Sequence, residues 1–313
     1  MADILSGTLR TATPILLAAL GGLLFEKAGV FSIAHEGMML FGAFFGVWGM
    51  HLTHSVPMAI LFALAIGAIV GLIYVWLIEK MNANATIASI GVNAFAVGIT
   101  TYMMKSIFGD AGSVGTAGII GLPKIDIPFI GNIPFIGKVI NGHTILVYVS
   151  IVLVVILSYF LFHTHTGINL RAVGERPQAA ASAGIPVLRY RIIACIVGGA
   201  LCGLAGVHLS LGHVTLFAEN MTAGRGFFAY TAVVFGQANP VGVMIASLVF
   251  GLAETVTYRA QQIGFPGPLV LTVPYIITIL ALIIRSCGIF DKFNRYRWRR
   301  KAQRLQNKKL KGA

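Results

Sequence analysis

Eight apolar stretches mark the chain, near residues 8–25, 37–53, 57–78, 86–106, 144–163, 190–211, 241–258 and 267–285. Each approaches the ~20 residues an α-helix needs to cross ~30 Å of hydrocarbon. Polar residues gather between these stretches, and the ~10-residue alternating segments of a membrane barrel are missing. A ninth stretch, "GFFAYTAVVFGQA" at 226–238, is too short for a standard crossing and is cut from the next by Asn239-Pro240. It predicts a half-helix, which membrane depth tolerates only where protein covers its open backbone ends. The expected fold is an all-α integral membrane protein, a polytopic helical bundle of about 8–10 transmembrane helices.

Composition sharpens that picture. Only 11% of the 313 residues are charged and 57% are hydrophobic, against about 25% charged in soluble domains. The net charge of +13 is concentrated: from Arg285 onward there are eleven Lys or Arg and one acid, Asp291. A basic tail straight after an apolar helix is a positive-inside signal suited to anionic headgroups, and it argues against nucleic acid as the partner. Residues 1–285 are read as the transmembrane domain and 286–313 as a basic cytoplasmic tail.

The same rule orients the loops. Arg171, Arg176, Arg189 and Arg191 put loop 164–191 in the cytoplasm, with Glu26-Lys27 and Glu79-Lys80 on that side and loop 107–143 outside. Three crossings beyond loop 164–191 would leave the tail outside. The conflict vanishes if 226–238 completes a crossing. The spacings Gly42-x-x-x-Gly46 and Gly199-x-x-x-Gly203 predict close helix packing.

Chemistry of its own is hard to find. A phosphate-cradling loop needs G-x-x-x-x-G-K-[ST]. The nearest stretch, "GNIPFIGKV" at 131–139, is one residue too long and has Val139 in place of the hydroxyl. His51/His54 and His163/His165 sit at span ends, where histidine is an ordinary interface residue. Cys195, Cys202 and Cys287 show neither disulfide nor zinc spacing. The chain is therefore not read as an enzyme and is expected to bind no cofactor; if ATP drives it, the ATPase is another chain.

Within "LRAVGERPQAAASAGIPVLRYR", Pro177 suits the first turn of a helix, Gln178 to Ala183 favour helix, and Gly184 and Pro186 stop it. Either this short helix is a connector lying on the headgroups, or it is a docking knob for a cytosolic partner.

Three stretches, in this order, resemble the membrane permease subunits of nucleoside-type ABC importers, within the superfamily that also holds ribose and branched-chain amino acid permeases. They are "EKAGVFSIAHEGMMLFGAF", "LRAVGERPQAAASAGI" and "GRGFFAYTAVVFGQANPVGV". Ser32, Ala34 and His35 depart from many relatives. The resemblance implies a type II importer fold with a half-helix near the outer mouth, in a bacterial inner membrane. The implied partners are a second permease, commonly different; a cytosolic ATPase holding ATP and magnesium; and an extracytoplasmic substrate-binding lipoprotein. It makes Arg171, Val173, Gly174, Glu175, Arg176, Pro177, Ala180, Ala183 and Gly184 the coupling segment for the ATPase.

A nucleoside needs sparse polar groups and aromatic faces in apolar walls. Asn93 is polar at mid-span, with Ser89 one turn earlier; an interhelical hydrogen bond is the competing role for both. Phe227, Phe228 and Tyr230 are candidates for a vestibule, and Asn239 for the pathway. Glu219 and Arg225 are expected to meet the lipoprotein outside. Glu36 opens its span, where a carboxylate suits a helix N-terminus; it is expected to be first a structural cap or conformational link near the cytoplasmic mouth, and only secondarily to touch substrate. An ion-driven secondary transporter is the alternative; it would want an embedded acid pair and leaves the docking loop unexplained.

Overall fold

In the computed structural model, residues 2–109, 112–115, 121–125 and 141–264 are described, together with 137, 139, 272, 273, 275, 276, 279 and 283. The basic tail and nearly all of the expected span 267–285 lie outside the described residues. So does most of the 131–139 stretch.

Ten α-helices run through the described residues: α1 (Ala2–Lys27), α2 (His35–Thr53), α3 (Val56–Glu79), α4 (Ala85–Phe108), α5 (Ile145–His163), α6 (His165–Glu175), α7 (Pro177–Ser182), α8 (Val187–Val207), α9 (Arg225–Phe235) and α10 (Pro240–Gln262). Among the described residues six helices are long and apolar enough to cross a membrane: α1, α3, α4, α5, α10, and α8 with the π-helical turn His208–Val214 that extends it. Local chemistry sets several starts. Asn84 Oδ1 accepts from the amides of Thr86 and Ile87 to open α4, and prolines occupy the first turns of α3, α7 and α10, where an amide would have no partner.

Lipid gives helices no hydrophobic reason to associate, so close packing must supply it. The glycine spacings do this through α8. A Cβ on Gly203 would overlap the backbone of Ala63 in α3, and one on Gly42 in α2 would overlap Gly203. Gly199 meets Gly67 of α3 in the same way. Helix α8 is thus wedged between α2 and α3, with α1 against its third side through Gly21 and Gly198.

One end of the bundle gathers the expected cytoplasmic loops. Gly174 of α6 lies on the backbone of Lys27 and Gly29, and Arg191 pairs with Glu79 at 2.6 Å while its Nε donates to Ala28 O at 3.3 Å. At the other end, two-residue antiparallel pairs tie loops together: β1 (Ser113–Val114) with β4 (Phe217–Ala218), and β2 (Lys124–Ile125) with β3 (His143–Thr144). Helix α10 runs antiparallel to α1, since Gly251 packs on Ala12 and Thr255 on Gly7. It therefore starts at the α6–α7 end and finishes at the β end. The stretch from β4 through α9 must cross between them, which removes the parity conflict.

Candidate functional site

The crossing from β4 to α10 is half extended chain and half helix. Glu219 accepts a hydrogen bond from Thr101 Oγ1 at 2.8 Å. Five residues later, Gly224 lies beside Glu36, whose neighbour Gly37 meets Asn93 of α4. Thr101 and Asn93 are eight residues apart on one helix, so this segment descends about 12 Å into the bundle. Helix α9 begins there and runs on to the α6–α7 end. The half-helix thus occupies the inner part of the crossing, not the outer mouth that the resemblance implies.

A helix start at this depth exposes unpaired amides, and Glu36 answers them. Its Oε1 accepts from Gly224 N at 2.8 Å and its Oε2 from Gly226 N at 2.7 Å. Helix α2 is itself preceded by Ala34, with no side-chain cap. Glu36 is thus a structural cap, but of α9 rather than of the span it opens, and it links positions 190 residues apart. Negative charge at a helix N-terminus is stabilised by the helix dipole as well as by the two amides. Gly226 is required by the fit, because a Cβ would strike the backbone and carboxylate of Glu36.

Arg225 is buried, not exposed on an outer loop, so it offers no surface for a delivery protein. Its guanidinium pairs with Glu254 of α10, donates to Tyr258 Oη at 2.6 Å, and reaches the carbonyls of Met221 and Thr222 at 3.2 and 3.3 Å. Tyr258 in turn donates to Glu254 Oε1 at 3.1 Å. Glu219 is exposed.

These groups edge a half-open cavity of about 700 Å³ lined by α2, α4, α9 and α10. Its lining combines Glu36, Asn93, Arg225, Glu254 and Tyr258 with Phe227, Phe228 and Tyr275. Of the residues expected along a pathway or vestibule, it brings together Glu36, Asn93, Phe227 and Phe228. Asn93 also ties helices, accepting from Gly37 N at 2.8 Å and donating to Ile33 O at 3.0 Å. Ser89 shares that face but is fully buried between Tyr74 Oη (2.8 Å) and Ile33 N (3.1 Å), away from the lining. Tyr230 stacks on the His35 ring at 6.4 Å and meets Phe31 edge-on at 5.8 Å. Asn239 accepts from Val241 N at 3.1 Å as the cap of α10. Among the polar lining residues that sequence did not nominate are Glu254 and Tyr258. An acid fourteen residues into an apolar helix was the available signal.

At the opposite polar face, α6 and α7 form a short hairpin between two spans. Val173 and Ala180 turn inward and are buried, whereas Glu175, Arg176, Ala183 and Gly184 are exposed. Pro177 opens α7, and Gly184 ends it with φ of +80°. The Arg171 guanidinium lies 5.0 Å over the Phe162 ring. The alanine face expected to dock a partner is therefore split. Ala180 packs within the chain and Ala183 faces outward.

Stacked apolar helices and a half-helix capped at depth, with a largely apolar cavity edged by a few polar groups beside it, are the architecture of a multi-pass membrane protein. The branched-chain amino acid transport system / permease component family matches residues 4–282, and the chain belongs to it. It is 34% identical to the guanosine ABC transporter permease protein NupQ of Bacillus subtilis, over 89% of this chain and 90% of that one. It is 30% identical to the nucleoside ABC transporter permease protein NupC of Lactococcus lactis, over 90% and 91%. The glucose ABC transporter permease protein TsgB13 of Haloferax volcanii is 28% identical, over 94% and 78%. The two bacteria each carry a second, more distant relative, NupP and NupB. No solved structure matches the chain. The chain is a permease subunit of an ABC transporter, so the ion-driven alternative falls away, and the paired relatives support a second permease beside it.

Proposed function

We propose that this chain and a non-identical second permease form the pathway of an importer for nucleosides or related sugar-containing solutes, powered by a separate cytosolic ATPase that holds ATP and magnesium. An extracytoplasmic lipoprotein delivers the solute, and this chain binds no cofactor. The observation that carries the solute class is the cavity beside the start of α9. Its aromatic rings and scarce polar groups suit a flat or puckered neutral solute. Among the described residues its charged lining groups are Glu36, Glu254 and Arg225, with no surplus of positive charge for a phosphate. Guanosine, nucleoside and glucose in the names of the relatives agree with an uncharged, hydroxylated solute.

The α6–α7 hairpin is the ATPase contact in this reading. Its exposed Glu175, Arg176, Ala183 and Gly184 face the cytosol, and Val173 and Ala180 seat the hairpin on the spans. Gly174, resting on Lys27 and Gly29, links it to the loop that leads to Glu36. Movement of the hairpin can thereby reach the cap of α9.

The test is uptake into vesicles holding both permeases and the ATPase, with nucleosides, ribose, glucose, free bases and nucleoside monophosphates as competitors. ATP-dependent uptake blocked by nucleosides or sugars and untouched by monophosphates is the expected outcome. Uptake driven by an ion gradient without ATP would overturn it.

A further inference from the structure

Among the described residues, Glu254 is the one carboxylate on the cavity wall that is only half used. Oε1 is engaged by Arg225 and Tyr258, while Oε2 is buried and has no hydrogen-bond partner among the described residues. The residue as a whole is 8% exposed and lies on the cavity lining. A buried oxygen with strong acceptor capacity and no donor costs free energy unless something supplies one. The other carboxylate on the wall cannot play this part in the same way, because both oxygens of Glu36 already hold backbone amides.

We propose that Glu254 Oε2 is a recognition acceptor for a sugar hydroxyl of the transported solute, with Arg225 and Tyr258 as positioning residues. This rests on the cavity being the solute site. The ion pair with Arg225 offsets the carboxylate charge, so the free oxygen selects a neutral O–H donor over a cation. Tyr258, bonded to both members of the pair, holds the carboxylate in the rotamer that leaves Oε2 without a donor among the described residues. Phe227, about half exposed beside the same cavity, offers a face for the flat or apolar side of the solute. A hydroxyl is the group that a nucleoside and glucose have in common, and those are the solutes named for the relatives. A base N–H is the other donor that could fill the position, and the test separates the two.

The experiment is a cycle between protein and solute, measured as ATP-dependent uptake by the complete importer. The wild type is assayed with a nucleoside, its 2′-deoxy and 3′-deoxy forms, and a base analogue lacking one N–H. Loss of one sugar hydroxyl should raise KM about tenfold or more, the usual size for a hydrogen bond to a charged group. Glu254→Gln replaces the acceptor by a donor; it should weaken the parent nucleoside by a similar factor and leave the deoxy form nearly unchanged. Tyr258→Phe should show a smaller shift of the same kind. Deoxy analogues carried as well as the parent by the wild type would overturn the proposal even if Glu254→Gln failed to fold. Sensitivity to the base N–H alone would overturn the hydroxyl assignment. Additive effects of Glu254→Gln and hydroxyl removal would show that Glu254 does not touch that group. A wild type competed by no nucleoside or sugar would instead sink the solute reading on which the proposal stands.

Discussion

The carboxylate of Glu36 holds the amide of Gly226 at 2.7 Å across 190 residues of sequence. One carboxylate thereby closes a helix that starts inside the bundle. Its charge and its two acceptor sites both matter, and they can be separated. Glu36→Gln keeps one acceptor but removes the charge, for a loss of about 1–2 kcal/mol. Glu36→Ala leaves both amides bare and should cost about 2–4 kcal/mol. Thermal unfolding in detergent should rank wild type above Glu36→Gln above Glu36→Ala. Equal stability of all three would remove the cap from the account.

The same contact predicts a sharp contrast between glycines. Gly226→Ala places a methyl group on the Glu36 backbone and carboxylate, so it should cost about 1–3 kcal/mol by overpacking. Gly91→Ala, in α4, meets nothing within 4 Å and should be neutral or gain about 0.5–1 kcal/mol from helix propensity. Unfolding temperatures of the two variants, measured side by side, check the difference. Gly226→Ala as stable as Gly91→Ala would mean that the Glu36 turn relaxes freely.

The membrane class and most of the spans were legible because apolar length is a local property. The glycine pairs were legible for a related reason, since two small residues one turn apart mark one face. Residue 36 shows where this stops. An acid at the start of an apolar run reads as that run's own cap, and nothing nearby in sequence points to an amide at 226. Arg225 misled in the same way. Beside Glu219 it looks like a loop charge, and only the descent of residues 219–224 brings it to Glu254. Ser89 and Asn93 were rightly placed on one face, yet both spend hydrogen bonds on the turn at 33–37. Position along a helix does not reveal which polar group stays available to a solute.

Arg225 and Glu254 should behave as a coupled pair. Removing the cation alone, as in Arg225→Met, buries an unpaired carboxylate and should cost about 3–5 kcal/mol. Adding Glu254→Gln to that background removes the stranded charge and should restore a good part of the loss. Uptake should stay low in the double variant, because the acceptor assigned to the solute is gone. If the two single substitutions simply add in thermal unfolding, the residues are not energetically linked.

The α6–α7 hairpin separates two alanines that sequence treats alike. Ala180 is 4% exposed and Ala183 is exposed. A tryptophan at 180 has to displace packing inside the chain, so Ala180→Trp should lower stability by about 1–3 kcal/mol and deplete the folded permease. A tryptophan at 183 enters solvent in the isolated chain and should change its stability by less than about 0.5 kcal/mol. With the α6–α7 hairpin as the proposed ATPase contact, however, that side chain would meet the ATPase in the assembled importer. Ala183→Trp should therefore leave the permease folded while weakening its hold on the ATPase and cutting uptake severalfold. Co-purification of the ATPase with each folded variant, read beside uptake, gives the decisive comparison. Normal ATPase recovery and normal uptake with Ala183→Trp would place the docking surface elsewhere on the polar face.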